Sequence, residues 1–220
     1  MTKAIQDAKE QVLWGCKTMC GRGYVLGTAG NISARVAGSN LFVVTPTSLS
    51  YDILQHEDLV VADMDGNIVE GNRKPSIEFT MHRSILAKRP DVRCVVHTHS
   101  KFATAASSMA GVSVVPVLDI ETAMYIGGDI AVAAFAAPGS AALAVNVAEA
   151  ITDRAGVIME GHGAIGVGGT MQEAMTASDI LERTCEMFLL IKAAGEIKPL
   201  DAVTVRELCE KSRVKRGITN

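Results

Sequence analysis

Val95-Val96-His97-Thr98-His99-Ser100 is the stretch on which the reading of this chain turns. The apolar run from Val92 to His97 is that of a buried strand, and residues two apart on a strand point the same way, so His97 and His99 share a face. Two converging imidazoles begin a metal site, and a third ligand is needed to close it. His162, in Glu160-Gly161-His162-Gly163-Ala164, lies between glycines, where the backbone can bend sharply and bring the ring against a partner strand. Three imidazoles leave a fourth position for water or substrate, the arrangement of a catalytic rather than a structural zinc. Taken alone, the His-x-His pair fits equally a strand end with hydrogen-bonded rings. His56 and His82 lie in polar or helical surroundings without partner spacing and stand outside the set.

Upstream, Ile77, Met81 and Ile85 predict a helix from Ser76 to Lys88, with Ser76 as its cap and Pro90 beyond its end. Leu59 to Ala62 and Asn67 to Val69 flank Asp65-Gly66 and predict a hairpin. A glycine-rich turn runs into a short strand ending near Arg35, and a Gly-Ser-Asn turn joins it to a second strand at 40–45. Ala8, Val12, Cys16 and Met19 give the segment from Lys3 to Met19 an amphipathic helical pattern, stopped by Gly21 and Gly23. Downstream we expect a helix near Phe102 to Met109, a strand near Val112 to Val117, and a helix beginning around Ser140. A strand from Ala155 to Met159 delivers His162, and Ala164 to Val167 returns antiparallel to it. Thr170-Met171-Gln172-Glu173 is a capping-box sequence opening a long helix to about Ala194, where Gly195 ends it. The tail is expected to be helical at Val203 to Glu210 and to fray from Val214 to Asn220.

With 220 residues and 48% hydrophobic composition, the chain can bury one sizeable core, and we expect a single domain over residues 1–220. The net charge of -3 and scattered Lys and Arg leave no basic stripe for nucleic acid. No apolar run approaches the roughly 20 residues that span a bilayer, and the charged start lacks the apolar segment of a signal peptide, so a cytoplasmic protein without a membrane partner is expected. The odd set Cys16, Cys20, Cys94, Cys185 and Cys209 matches no zinc pattern and reads as free, structural thiols.

A second constellation comprises three short turns: Gly30-Asn31, Thr45-Pro46-Thr47-Ser48 and Pro75-Ser76. They offer hydroxyls, an amide and backbone N–H groups, and Ser76 stands at an expected helix N-terminus, which favours an anion. Together they could cradle one phosphate, although each alone is an ordinary turn or cap. No Walker or dinucleotide fingerprint is present. Glu78, close to the anion turn and upstream of the histidine strand, could act as a general base, or could simply complement the helix dipole. Glu70 and Asp91 read as ordinary solvated charges.

The ordered series Gly27-Thr28-Ala29-Gly30-Asn31-Ile32-Ser33, Thr45-Pro46-Thr47-Ser48, Pro75-Ser76-Ile77-Glu78, His97-Thr98-His99-Ser100 and Gly161-His162-Gly163 resembles the class II aldolase and adducin family, and within it the L-fuculose-1-phosphate aldolase type, from about residue 5 to residue 195. The resemblance implies a three-layer α/β/α fold around a mainly antiparallel central sheet and a homotetramer with active sites between subunits. It implies a zinc held by His97, His99 and His162, with Mn2+ or Co2+ as alternatives. It further implies Glu78 as acid/base, and Gly30, Asn31, Thr47, Ser48 and Ser76 as phosphate-binding residues. The reaction so implied is metal-dependent cleavage of a ketose 1-phosphate to dihydroxyacetone phosphate and a small aldehyde, through an enediolate.

Two departures stand out. Ile77 occupies the place of the family's second phosphate-loop serine. The place of the family tyrosine after the histidine strand falls near Asp119, our candidate replacement proton donor, and no tyrosine follows Tyr125 in the tail. These departures keep open a decarboxylase of a keto or aromatic acid on the same fold. A sugar-phosphate 4-epimerase and a non-enzymatic adducin-like interaction module are further alternatives.

Overall fold

The computed structural model describes residues 2–218. The strand that carries His97, β5 (Cys94–Thr98), is the middle strand of a nine-stranded sheet ordered β4-β3-β2-β1-β5-β9-β8-β7-β6. Its one half is β1 (Asn31–Arg35), β2 (Leu41–Val44), β3 (Val60–Asp63) and β4 (Ile68–Glu70). The other half is β6 (Val114–Val115), β7 (Ile130–Ala133), β8 (Gly156–Met159) and β9 (Gly163–Gly168). All neighbours among the described residues pair antiparallel except β7 and β8, so the sheet is mixed and mostly antiparallel.

Strand alternation explains why both faces are covered. Phe42, Val44, Val60, Ala62 and Val95 enter one apolar cluster, while Val43, Val61, Ile32, Ala34 and Val96 enter another. Helices α1 (Lys3–Gly21) and the start of α5 (Met171–Ala194) supply Val12, Met19, Met171 and Met175 to the second cluster. Helices α2 (Phe79–Lys88) and α4 (Ala141–Ala150) supply Met81, Ile85, Leu143 and Val147 to the first. Each such side chain, fully buried, contributes roughly 1.5–3 kcal/mol. Helix α3 (Lys101–Ser107) follows β5 directly, and Glu182 on α5 accepts from the Phe102 and Ala103 amides at 2.8 Å, capping it.

Several sequence expectations shift. Helix α2 begins at Phe79 rather than Ser76, because the Ser76 amide is committed to the Thr45 carbonyl at 3.0 Å and the Thr47 amide to Lys74 at 3.0 Å. Residues 76–78 therefore form a turn clamped to the end of β2, with Glu78 as the N-cap. The strand expected over Val112 to Val117 shortens to β6, since Pro116 lacks the N–H a ladder needs and Val117 donates to Asp129 instead. The π-turn Thr122–Ile126 and strand β7 lie in an Ala-rich segment whose periodicity is too weak to indicate either.

Helix α6 (Ala202–Lys215) starts at an Asp201 cap and continues past Glu210. Val214 and Lys215, expected to fray, are helical because Arg213 and Arg216 fasten this turn to Asp153. Residues 219–220 of the same expectation lie outside the described residues. The capping box at Thr170 and Glu173 forms as the sequence indicates. All five cysteines are free thiols. No helix among the described residues is long and apolar enough to cross a membrane.

Candidate active site

The ladder register brings Asn31 on β1 and Ile165 on β9 to either side of His97. The His97 ring is fully buried, and its Nδ1 lies 3.1 Å from the Ala164 carbonyl. A carbonyl only accepts, so Nδ1 carries the proton and Nε2 keeps its lone pair for a ligand. His99, one residue beyond β5, is exposed, and its Nε2 lies 3.1 Å from His97 Nε2. His162 sits in the tight β8–β9 connection, with its ring centroid 5.0 Å from each of the other two. That approach depends on Gly163, where a Cβ would lie 2.2 Å from the Thr98 carbonyl oxygen.

Ligand atoms of His97, His99 and His162 all fall within 4.8 Å of one another. Glu78, at the head of α2, places Oε2 3.1 Å from His97 Nε2 and Oε1 3.2 Å from His162 Nε2. Its Oε1 is buried with no hydrogen-bond partner, as is His162 Nδ1. Imidazole lone pairs and a carboxylate facing one another across about 3 Å repel unless a cation lies among them. Three imidazole nitrogens fit a divalent transition metal, and the cluster could hold one.

The electrostatics point the same way. Burial would raise the Glu78 carboxyl, but the facing imidazoles and the hydrogen bond that Asn31 donates outweigh it, holding the group well below the usual carboxylate range. Desolvation and the neighbouring imidazoles lower His99 to about 4 and lower His162 as well. Neutral imidazoles are the form that ligates a metal.

Beside the cluster lies a cavity of about 300 Å³, lined by Thr28, Ala29, Gly30, Asn31, Pro46, Thr47, Ser48, Ser76, Ile77, Glu78, His99, Pro138 and His162. The three turns picked out in the sequence thus meet in one place. Ser48 adopts a left-handed φ of 58°, and its hydroxyl lies 3.3 Å from that of Thr47. The Ser76 hydroxyl accepts from the Glu78 amide at 3.2 Å, tying this wall of the cavity to the carboxylate.

Two sequence readings need correction. His82 is not a bystander: it is fully buried, with Nε2 2.5 Å from Asn31 Oδ1 and Nδ1 2.7 Å from Ser33 Oγ. The available signal was its position four residues after Glu78, which puts both on one face of a helix. Asp119 lies elsewhere and does not line the cavity. Burial would raise its carboxyl, but hydrogen bonds from Thr122 and Arg183 prevail and lower it, with Oδ1 taken by Thr122 and Oδ2 by Arg183.

Residues 10–189 match the model of the class II aldolase and adducin N-terminal domain. The chain belongs to the class II aldolase and adducin family. It is similar to 5-deoxy-D-ribulose 1-phosphate aldolase of Bacillus thuringiensis, at 30% identity over 94% of this chain and 96% of the relative. A 3-oxo-tetronate 4-phosphate decarboxylase of Haemophilus influenzae is 32% identical over 85% of this chain and 89% of its own. A solved L-fuculose 1-phosphate aldolase superposes with a TM-score of 0.88 at 29% identity, covering 93% of this chain and 95% of the other. This class II aldolase family member is accordingly an enzyme of the class II aldolase type. Where such an enzyme would present a second serine to phosphate, Ile77 stands at the lip of the cavity, 61% exposed.

Proposed function

We propose that this protein is a metal-dependent aldolase that cleaves a ketose 1-phosphate to dihydroxyacetone phosphate and a small aldehyde. The observation that carries the reading is the junction of two chemistries in one cavity: a carboxylate among three imidazoles on one side, hydroxyl-bearing turns on the other. His97, His99 and His162 would hold the ion, which we take to be Zn2+, with Mn2+ or Co2+ able to substitute. When bound, the metal supplies a Lewis acid where negative charge develops on the ketose carbonyl oxygen, worth several kcal/mol.

Gly30, Asn31, Thr47, Ser48 and Ser76 would bind the phosphate through amides and hydroxyls. The turns anchor the substrate at its phosphate end, so that its carbon chain runs toward Glu78. As the C3–C4 bond breaks, the C4 hydroxyl becomes the aldehyde carbonyl and gives its proton to Glu78, the electron pair stays on C3, and Glu78 delivers that proton to C3, with Oε1 as the oxygen not engaged by Asn31. No lysine Schiff base is needed.

The architecture is read as three layers, α/β/α, in one domain over residues 1–220, assembled as a homotetramer with active sites between subunits and working in the cytoplasm. A second reading, decarboxylation of a keto acid such as a 3-oxo acid phosphate, draws on the Ile77 substitution, the absence of a tyrosine from the cavity lining, and the decarboxylase relative. The test is release of dihydroxyacetone phosphate from a panel of ketose 1-phosphates, read by NADH oxidation in a coupled assay, with a chelated control. Metal-dependent release is expected. Silence from protein holding one metal per chain would overturn the aldolase reading in favour of the decarboxylase.

A further inference from the structure

We propose that His82 is a positioning residue that sets the orientation of the Asn31 amide and, through it, decides which oxygen of Glu78 is free to carry a proton. The inference rests on the reading of Glu78 as the proton-transfer group. The observation is a continuous buried chain of hydrogen bonds: Ser33 Oγ to His82 Nδ1 at 2.7 Å, His82 Nε2 to Asn31 Oδ1 at 2.5 Å, and Asn31 Nδ2 to Glu78 Oε2 at 2.7 Å. All four residues are at most 5% exposed.

The chain has one direction. An ionised carboxylate only accepts, so Asn31 must present its NH2 to Glu78 and its carbonyl oxygen to His82. That oxygen also only accepts, so the His82 proton must sit on Nε2. Nδ1 is then an acceptor, and Ser33 must donate to it. Burial keeps this imidazole neutral, in agreement with a single ring proton.

Without the Nε2–H donor, the Asn31 amide could turn over and set its oxygen against the Glu78 carboxylate, a repulsive contact at 2.7 Å. With it, Oε2 is engaged and Oε1 is the oxygen left without a donor. His82 itself does not line the cavity, and its hydrogen-bonded route to Glu78 runs through Asn31.

The first test needs no activity: two-bond ¹H–¹⁵N correlation spectra of ¹⁵N-histidine-labelled, metal-free protein at neutral pH. A His82 ring protonated at Nε2 and bare at Nδ1 is expected, and the opposite tautomer or a charged ring overturns the proposal. The second test is a cycle on kcat. His82→Phe should lower kcat by roughly 10- to 100-fold with KM and metal content held. His82→Gln, whose amide can reach Asn31 Oδ1, should recover most of that loss. In an Asn31→Ala background, His82→Phe should cost nothing further. Additive losses, or losses confined to KM or metal content, overturn the positioning role. Should His82→Phe fail to fold, His82→Leu, which likewise carries no donor, takes its place in the cycle. If the wild-type enzyme cleaves no ketose phosphate, the aldolase reading fails, while the tautomer experiment still decides the relay.

Discussion

Gly30 packs so closely on His97 that a Cβ at residue 30 would lie 2.6 Å from the His97 carbonyl oxygen. Gly30 stands immediately before β1, whose Asn31 pairs with His97 on β5, so this contact sets how near the Asn31 turn comes to the histidine strand. With a φ of +72°, residue 30 is also in the left-handed region. Gly30→Ala therefore meets both backbone strain and a clash with a backbone atom that cannot swing away, at a cost of roughly 2–4 kcal/mol. Urea denaturation should show the loss, together with weakened metal binding as Asn31 and Glu78 are displaced.

His99 and Glu78 separate metal binding from proton transfer. The exposed His99 ring supports little packing, so His99→Ala should leave metal-free stability within about 0.5 kcal/mol while abolishing bound metal and turnover together. Glu78→Gln keeps the three imidazoles and should retain metal but lose roughly 100-fold or more in kcat. Metal analysis alongside steady-state kinetics distinguishes the two outcomes.

The metal-free protein should weaken in mild acid through His82. Desolvation and the nearby His97 lower its pKa from 6.5 to about 3. Between these values the unfolded chain binds a proton that the folded one refuses, so the stability this group contributes is complete above about pH 6.5 and is lost as pH falls toward 3. His99 and His162, also lowered, titrate in the same direction. Comparison with His82→Gln isolates the His82 part: the variant should lose less stability between pH 7 and about pH 5 than the wild type, by a few kcal/mol at most.

Lys9 tests the far side of the sheet. Its side chain is 1% exposed and its ammonium meets Glu70 Oε1 at 2.8 Å, tying α1 to β4. Glu70→Ala strands that charge and should destabilise the protein by roughly 1–3 kcal/mol, less than a wholly enclosed pair because Glu70 is itself 34% exposed. Replacing the ammonium as well, with Lys9→Met, should recover much of the loss. Thermal or urea unfolding of the single and double variants checks both.

Ile77 offers a gain rather than a loss. At the cavity lip it presents no donor, and Ile77→Ser would add a hydroxyl toward a bound phosphate. A hydrogen bond to a charged group contributes roughly 1.5–3 kcal/mol, so KM for a phosphorylated ketose should fall about 10- to 100-fold, and inorganic phosphate should inhibit more strongly. An unchanged KM would place the phosphate on the other turns alone.

What the sequence determined by itself was whatever depends on a few neighbouring residues. Period-two spacing put His97 and His99 on one face, Asp65-Gly66 made its hairpin, and Thr170 with Glu173 closed a capping box, since each follows from local backbone geometry. The convergence of His162 and the three turns was suggested by the glycines beside His162 and by the chemistry of the turns, and was made definite by the resemblance of their order to a known family. Tertiary structure decided the rest. The start of α2 moved to Phe79 because the Ser76 amide is taken by Thr45, thirty-one residues earlier in the chain. Asp119 was tied to Arg183 on α5, and His82 was joined to Glu78 through Asn31 on a different strand. The donor that a buried polar group finds is set by which strands lie side by side, and that is a property of the sheet order rather than of any local spacing.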